Sequence, residues 1–374
     1  MRAPRIVLGL GAWTVLFTLG GLAALRSVHP FDAWYMTHWA FNYEHGFIKR
    51  GLIGEIFSRL VGPVTVPNVI TASWLLMALL AGALVFMFIA PALRQPDRLG
   101  AWLFGLVAIT HSATIPRLVW DLGRYDHFLL LILLACLAVL YRASPVWRLL
   151  VIPPLCVIGL LIHEGFFFMF LPLIFAVWFY EEGGKLFWPK LSVVICIALL
   201  LLFIQTFGTI SNPQLYAFAS KDYTNVYYGV GYNIQNEFYF IRKSAHLLLV
   251  NHIVLALTLV PTFLLFRHLA EASPGIKRHR WERRILITAA LTPLSLYLIA
   301  QDHFRWWGLG ITNLFIVFAY LALREHAAQD LADRVERMWV TAVCVAGVSL
   351  IFGPLGDWIS SYPAFHGLWF IRGL

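Results

Sequence analysis

Ionisable side chains interrupt this apolar chain at only a few places, and those places are where chemistry is expected. Asp32 lies six residues after Arg26, where the first apolar run ends. A carboxylate that is partly shielded by lipid and protein tends to have a raised pKa, which suits a general base acting on a hydroxyl group. We therefore predict that Asp32 is catalytic. A helix cap or a loop salt bridge is the structural alternative.

Two arginines and two aspartates lie close together before an apolar run, as Arg117, Asp121, Arg124 and Asp126. The arginine guanidinium presents two parallel donors that match a phosphate group. Arg117 and Arg124 are therefore predicted to bind the phosphate of a donor substrate, and Asp126 to orient the substrate. The alternative is that Arg124 and Asp126 pair with neighbours at a helix entrance, and both roles are compatible.

His163 and Glu164 interrupt the apolar stretch VIGLLIHEGFFFMFLPLIF. A tight turn between two helices explains Gly165, which follows them. It does not explain an ionisable pair in apolar surroundings, where such groups are costly unless they are paired or hydrated. We predict that His163 contacts phosphate and that Glu164 orients the substrate.

The run Gln301–Trp307 places Asp302, His303 and Arg305 beside two tryptophans of the kind found at membrane interfaces. Arg305 is predicted to bind the donor phosphate, while Asp302 and His303 orient the substrate. Histidine and aspartate also bind metals, but no His-x-x-x-His spacing supports a metal site. No cofactor is certain, and a divalent metal stays a possible but unsupported alternative.

The segment Val28–Leu60 is the first long stretch outside the apolar runs. From Phe47 onward, apolar residues recur every four positions, at Ile48, Leu52, Ile56 and Leu60. This pattern predicts an amphipathic helix that lies in a membrane interface. Three polar residues of the segment are predicted to orient the substrate: Glu44, Lys49 and Arg50.

A second long segment, 210–245, is rich in tyrosine, asparagine and glutamine. We predict it to be an outer aromatic-rich loop. Aromatic faces and amide side chains suit a sugar, which offers apolar C–H faces and hydroxyl groups. Interfacial padding is an equally good explanation.

The composition places these residues in a membrane protein. The chain has 374 residues, of which 60% are hydrophobic and 13% charged, and its mean hydropathy is +0.76. A soluble domain carries roughly twice that charged fraction. The four cysteines lie inside apolar runs, which argues against disulfides and a cysteine metal site. The net charge of +9 favours membrane lipids or phosphate-bearing substrates, and no motif indicates nucleic acid.

Apolar runs of about 20 residues predict membrane-spanning helices. We predict an all-α, polytopic membrane protein with a single transmembrane domain over 1–374, in which 27–68 forms the first outer loop. The first apolar run lacks a cleavage site and is expected to be a retained anchor. The densest lysine and arginine clusters place the N-terminus inside. Eleven spans are predicted: 6–26, 69–93, 101–115, 127–142, 147–163, 166–181, 188–209, 246–267, 285–300, 305–323 and 338–354.

Three short motifs in the first half of the chain resemble those of the GT-C superfamily of membrane glycosyltransferases. The first is Asp32-Ala33-Trp34-Tyr35, followed by Trp39-Ala40 and Gly46. The second is Ser112 with Arg117 or Arg124 and then Asp126. The third runs from Leu161 through Gly165 to Leu171-Pro172.

The resemblance implies a GT-C-like enzyme that transfers a sugar from a polyprenyl-phosphate donor to a glycan, lipid or protein acceptor. It implies inversion at the anomeric carbon with Asp32 as base, in a bacterial inner membrane with the site on the periplasmic side. Two positions depart from the family pattern. Ala33 replaces a second acid, which puts metal dependence in question. His163-Glu164 replaces a lysine expected at the donor phosphate, so Arg124 or Arg305 is expected to take that part.

Two other functions stay open. An O-antigen-type polysaccharide polymerase or ligase would use undecaprenyl-diphosphate donors, with 210–245 as its main loop. A transporter of lipid-linked sugars would bind such molecules without chemistry. The candidate residues are expected on one side of the membrane, whereas a transport pathway would place polar residues at both mouths.

Overall fold

A computed structural model describes residues 3–31, 33–209, 230–271, 280–300, 302–324 and 327–355. This part of the chain is all-helical, without strands, which confirms the predicted fold class. The α-helices are α1 Ala3–Arg26, α2 Ala33–Ala40, α3 Gly51–Leu60, α4 Val66–Arg94, α5 Leu99–Thr110, α6 Ile115–Trp120, α7 Asp126–Arg142, α8 Pro145–Ile162, α9 Phe166–Met169, α10 Leu171–Glu182, α11 Phe187–Phe207, α12 Val230–Ala270, α13 Arg280–Ala290, α14 His303–Arg324, α15 Ala328–Arg337 and α16 Trp339–Phe352. A 3₁₀ helix covers Thr292–Leu298.

Several of these helices are long and apolar enough to cross a membrane, as expected of a multi-pass protein. Within the described ranges there are six: Val66–Arg94, Leu99–Trp120, Pro145–Ile162, Phe187–Phe207, Leu248–Ala270 and His303–Arg324. The pair α15–α16 makes a seventh if it is one span bent by 82°. The predicted total of eleven stays a prediction.

Two of the predicted spans are broken. The span predicted at 285–300 is wrong as one helix, because α13 ends at Ala290 and a 3₁₀ helix with Pro293 in its first turn follows. The span predicted at 166–181 is divided at Phe170 into α9 and α10. Pro172 stands in the first turn of α10, and the ring of proline restricts the residue before it, so a helix tends to start there rather than pass through.

The predicted loop 210–245 is wrong from Val230 onward, because α12 begins there and continues to Ala270. No glycine or proline occurs between Tyr232 and Val260 to interrupt this helix. The polar and aromatic composition is typical of a helix surface as well as of a loop, and this ambiguity caused the error. Residues 210–229 lie outside the described part.

The predicted amphipathic helix begins at Gly51 rather than at Phe47, after a turn in which Arg50 has a φ of 65°. Its buried apolar side chains are Ile53 and Phe57. Ile56 and Leu60 of the predicted stripe are 44% and 80% exposed. Apolar side chains therefore face both the protein and its surroundings, as expected of a helix at a membrane interface.

Two helices carry polar side chains at both of their ends. In α8, Arg148 lies in the first turn and His163 follows the last residue. In α14, Arg305 lies in the first turn and Arg324 is the last residue. An α-helix rises about 1.5 Å per residue, so the ends of these helices lie roughly 27–33 Å apart, close to the thickness of a bilayer core.

Candidate functional site

Six charged side chains from distant parts of the sequence form one ionic cluster, here called the first cluster. It contains equal numbers of arginines and aspartates: Arg117, Asp121, Arg124, Asp126, Asp302 and Arg305. Four of these residues belong to one sequence motif, and the other two, Asp302 and Arg305, lie at the start of α14. Arg117 and Arg124, predicted from one motif, and Arg305, predicted from another, thus lie in one cluster.

Asp126 holds two of the arginines at once. Its Oδ1 accepts from Arg305 Nη2 at 2.5 Å, and its Oδ2 accepts from Arg305 Nε at 2.8 Å. Arg117 Nη2 donates to the same Oδ2 at 3.0 Å. Asp126 and Arg117 are both fully buried. Such charge pairs require good geometry, because removing both ions from water costs several kcal/mol per ion.

Asp302 is the most exposed of the three aspartates in the first cluster. Its Oδ2 accepts from Arg124 Nη1 at 3.2 Å and from Arg305 Nη1 at 2.9 Å, and its side chain is 31% exposed. Burial favours the neutral form of the Asp302 carboxyl, but the charges of Arg124 and Arg305 outweigh it and lower its pKa. Asp302 is therefore ionised at neutral pH.

The backbone of the 117–126 motif is fixed by local features. Gly123 has a φ of +99°, a conformation that L side chains rarely adopt, and a Cβ there would lie 2.7 Å from the Phe31 ring. The two ring nitrogens of His127 each lie 2.8 Å from a backbone carbonyl oxygen, Nδ1 from that of Arg124 and Nε2 from that of Leu118. This histidine therefore holds the turn rather than the substrate.

A second ion pair joins the segment between α2 and α3 to the turn after α8. Arg50 Nη2 lies 2.5 Å from Glu164 Oε1, and Arg50 Nε lies 2.9 Å from Glu164 Oε2. Burial favours the neutral form of the Glu164 carboxyl, but Arg50, His163 and Lys49 together hold its pKa well below the usual value. Glu164 is thus a carboxylate whose main partner is Arg50.

His163 connects this pair to the first cluster. Its Nδ1 accepts a hydrogen bond from the Gly165 N–H at 2.9 Å. Burial, followed by the charge of Arg50, lowers the pKa of His163 to about 3, and Arg305 and Asp126 are close enough to contribute. His163 is therefore a neutral imidazole at physiological pH, not the cation that was predicted to contact phosphate.

His38 on α2 lies among the same groups, although no sequence pattern singled it out. Burial lowers its pKa well below the ordinary value, and the charges of Arg50, Arg124 and Arg305 lower it further. The His163 ring is close enough to contribute when it is protonated. The Tyr125 hydroxyl donates to the His38 carbonyl oxygen. Residues from four separate segments therefore surround His38.

The remaining predicted residues differ in their surroundings. Glu44 is exposed on the turn before α3, away from the buried charges. Lys49 is buried, with an exposed fraction of 2%. His303 is buried and stacks on the Tyr297 ring at a centroid distance of 4.4 Å. Asp32 lies outside the described residues.

The residues that flank position 32 contact the first cluster. The Arg124 guanidinium carbon lies 5.1 Å from the centre of the Tyr35 ring, which is a cation–π contact. Phe31 packs edge-on against Tyr35, with a centroid distance of 6.2 Å. The α2 segment and the 117–126 motif are therefore packed together.

A further ionic cluster, here called the second cluster, lies at the opposite ends of α8 and α14. Arg324 Nη2 lies 2.7 Å from Glu181 Oε2, and Tyr320 donates to Glu181 Oε1 at 2.6 Å. Glu182 pairs with Arg148 at 3.0 Å and with Lys190 at 3.1 Å. Buried charges therefore lie at both ends of these helices, although none of the residues of the second cluster was predicted as a site residue. Glu181-Glu182 beside basic residues was the available sequence signal.

Asp121 is the one member of the first cluster that was not selected as a site residue. It lies 3.0 Å from Arg117 and 3.6 Å from Arg124. Its spacing of four residues from Arg117 on a helical turn was sufficient to predict this pair. Within the described ranges, no group of three or more His, Cys, Asp or Glu side chains has an arrangement that could hold a metal ion.

Comparison with known proteins gives one family match. Residues 7–113, less than a third of the chain, match the family described as "Uncharacterised membrane protein Rv1490". The match covers most of α1, the whole of α2 to α5, and the segment that contains Lys49 and Arg50. It supports a membrane-embedded protein, in agreement with the apolar helices. Searches of the curated proteins and of the solved structures gave no match.

Proposed function

We propose that this protein is a membrane glycosyltransferase. It moves a sugar from a polyprenyl-phosphate donor to a glycan, lipid or protein acceptor on the periplasmic face of a bacterial inner membrane. The supporting observation is that ionisable residues from four distant segments meet near His38: Arg50, Arg124, His163 and Arg305, of which the arginines are held in ion pairs. Buried ionisable groups are costly in a membrane protein, and where they occur they mark functional sites by default.

The proposed reaction is a single displacement. An acceptor hydroxyl oxygen forms a bond to the anomeric carbon of the sugar, while the bond from that carbon to the phosphate oxygen breaks. Asp32 takes the hydroxyl proton, and the electron pair of the broken bond leaves with the polyprenyl phosphate. Attack from the face opposite the leaving group inverts the anomeric carbon.

The ion pairs of the first cluster suit this reaction as a preorganised scaffold. Each arginine already has a carboxylate partner, so its orientation is fixed before a substrate arrives. Fixed charges in a dry site stabilise a developing negative charge without reorganisation cost. Helix α3, with its exposed apolar side chains, would hold the lipid substrate at the interface and reduce the entropic part of the barrier.

The test is transfer by the purified full-length protein in proteoliposomes, with a panel of radiolabelled polyprenyl-phosphate sugars and a membrane extract as acceptor. The Asp32→Asn variant should lose transfer by about 10²-fold or more, as expected for a general base. Asp97→Asn, at an exposed position between α4 and α5, is the matched control and should retain it. NMR of the product should show inversion.

Two outcomes would contradict the proposal. If Asp32→Asn retained full transfer from an undecaprenyl-diphosphate donor, the protein would be an O-antigen-type polymerase or ligase. If no donor in the panel gave a product, the chemistry would be absent.

A transporter of lipid-linked sugars is the second candidate, and the second cluster is the observation that favours it. Charged clusters at both ends of α8 and α14 resemble paired gates of an alternating-access protein. The test is movement of a fluorescent polyprenyl-phosphate sugar between the leaflets of reconstituted vesicles. Movement without product would favour transport, and product formation without net movement would favour the transferase.

A further inference from the structure

The cations of the site differ in what they already bind. Arg117, Arg124 and Arg305 each have an aspartate within ion-pair distance, and Arg50 holds Glu164 through two donors. The charge of each of these guanidinium groups is thus balanced by a carboxylate, although within the described residues Arg117 Nε and Nη1 have no acceptor. A cation without a carboxylate partner attracts an anion more strongly, so the arginines are the weaker candidates for the primary anion ligand.

Lys49 is the exception among these cations. Its exposed fraction is 2%, yet its ammonium group has no ion pair or hydrogen bond to any residue within the described ranges. Its backbone N–H is bound, to the Gly208 carbonyl oxygen at 2.9 Å. Glu164 attracts the ammonium only from beyond ion-pair distance, since Arg50 occupies that carboxylate. A buried ammonium without a partner is unfavourable unless a ligand supplies one.

The backbone around Lys49 is unusual in a way that fixes its position. Arg50 has a φ of 65° and a ψ of 10°, the left-handed conformation that non-glycine residues rarely adopt. A Cβ at Gly51 would lie 2.7 Å from the Tyr43 ring. Such conformations cost about 1–3 kcal/mol and cluster at binding sites, where the surrounding structure holds them. Here the Arg50–Glu164 pair holds the turn, and the turn holds Lys49.

The net charge of the site limits the charge of the ligand that it can bind. Among its described residues, five cations (Lys49, Arg50, Arg117, Arg124 and Arg305) face four carboxylates (Asp121, Asp126, Glu164 and Asp302). His38 and His163 are neutral because their pKa values are lowered. The described residues thus carry one more positive than negative charge, and Asp32, the proposed base, balances that charge. A ligand with a single negative charge, such as a phosphodiester, disturbs this balance less than a diphosphate does.

We propose that the Lys49 ammonium is the anion ligand of this site, and that its ligand is a lipid-linked phosphodiester with one negative charge. This inference rests on the proposed function and adds to it the group that binds the donor phosphate. The arginines then act as positioning residues that hold their carboxylates and shape the site, and they do not contact the phosphate first.

The test compares four probes on the full-length protein in lipid nanodiscs. They are undecaprenyl methyl phosphate, which is a phosphodiester, the uncharged undecaprenol, undecaprenyl diphosphate, and inorganic phosphate. Binding is measured by native mass spectrometry and by the shift of the melting temperature. The wild-type protein should bind the phosphodiester most tightly, and Lys49→Met should weaken that binding by about 10- to 100-fold, the value of a hydrogen bond to a charged group.

One further measurement and one further variant keep the test independent of folding. Lys49→Met should melt at the same or a higher temperature than wild type without ligand, because it removes a buried unpaired charge and leaves the Arg50–Glu164 pair intact. If Lys49 had only a structural role, Lys49→Met would melt at a lower temperature than wild type. Lys185→Met makes the same change at an exposed position and should bind every probe as wild type does.

Several results would overturn the inference. Wild-type binding that Lys49→Met does not weaken would exclude Lys49 as the ligand while leaving the glycosyltransferase proposal in place. Tighter binding of the diphosphate would contradict the charge argument, and equal binding of inorganic phosphate would contradict a lipid-linked ligand. Failure of the wild-type protein both to bind any phosphate lipid and to transfer a sugar would remove the proposed function itself.

Discussion

Arg50 and Glu164 are 114 residues apart in sequence, and two parallel hydrogen bonds join their side chains. The arginine directly precedes α3, while the glutamate lies in the turn between α8 and α9. Their side chains are only 12% and 13% exposed, so water screens the pair weakly. The pair therefore anchors the segment between α2 and α3, and with it Lys49, to the helix bundle.

Breaking this pair from one side should destabilise the protein. Glu164→Gln leaves the Arg50 guanidinium buried without its carboxylate, which typically costs about 3–5 kcal/mol. The double variant Arg50→Gln/Glu164→Gln should recover a large part of that loss, because no unpaired charge remains. Denaturant or thermal melts in detergent measure both. Equal stability of the single and double variants would contradict a coupled pair.

The Arg59–Glu55 pair offers the matched control. It has the same N···O distance of 2.5 Å, but the Arg59 side chain is 77% exposed. Arg59→Gln should therefore change the free energy of unfolding by about 0.5 kcal/mol or less.

Two of the three aspartates that bridge arginines, Asp126 and Asp302, should differ in their contribution to stability. Asp126 is fully buried and binds Arg117 and Arg305, whereas the Asp302 side chain is 31% exposed and binds Arg124 and Arg305. Asp126→Asn should lower stability by several kcal/mol, because two buried guanidinium groups lose their charge partner. Asp302→Asn should cost less than half as much, since water can replace the lost carboxylate. A reversed order in thermal melts would contradict this description of the cluster.

Features that depend on local composition could be predicted from the sequence. The apolar runs predicted an all-helical membrane protein, and most of the long spans lie close to the predicted positions. The errors arose where the same composition fits two structures. The stretch between Tyr232 and Val260 has neither glycine nor proline to end a helix, and Pro293 interrupts a run that was apolar enough to span.

The sequence predicted most residues of the site but not which of them form ion pairs. Arg117, Arg124 and Asp126 were predicted from one motif and Arg305 from another, because ionisable groups are rare in this apolar chain. That Asp126 binds two arginines depends on the contact between α7 and α14, which no local pattern encodes. The pairing matters for function, since it distinguishes the arginines, which are paired with carboxylates, from Lys49, which has no ion-pair partner within the described ranges.

The buried histidines should make the protein less stable in mild acid. The pKa of His163 is lowered to about 3, whereas the unfolded chain has its ordinary value near 6.5. Between these values the unfolded state binds a proton that the folded state does not, so stability falls as the pH falls. At pH 5 the expected loss from His163 is at most about 2 kcal/mol. Glu164 and Asp302 add little above pH 5, because they are ionised in both states.

His163→Asn tests this pH dependence. An asparagine side chain can accept from the N–H two residues later, so it can keep the hydrogen bond to Gly165 without titrating. The variant should lose less stability than wild type between about pH 7.5 and pH 5 in melts at constant ionic strength. An unchanged slope would show that His163 does not titrate as described, whereas His38 contributes equally to both proteins.

The close contact between α3 and the end of α2 should make Gly54 intolerant of any side chain. A Cβ at Gly54 would lie 1.9 Å from the Phe41 carbonyl oxygen and 2.6 Å from the Trp39 carbonyl oxygen. These are backbone atoms that cannot rotate away, so Gly54→Ala must displace α3. The displacement should cost about 1–3 kcal/mol, as overpacking of a core does. It should also weaken binding of the phosphodiester probe, since Lys49 stands directly before α3.

Gly82→Ala is the matched control for this substitution, because Gly82 lies inside α4 and a Cβ there would have no neighbouring atom within 4 Å. Alanine at this position should leave stability unchanged or raise it by up to about 1 kcal/mol, since alanine favours a helix over glycine. Thermal melts and probe binding compare the two variants directly. If both melted at the same temperature and bound the probe equally well, α3 would not be held against α2 at this contact.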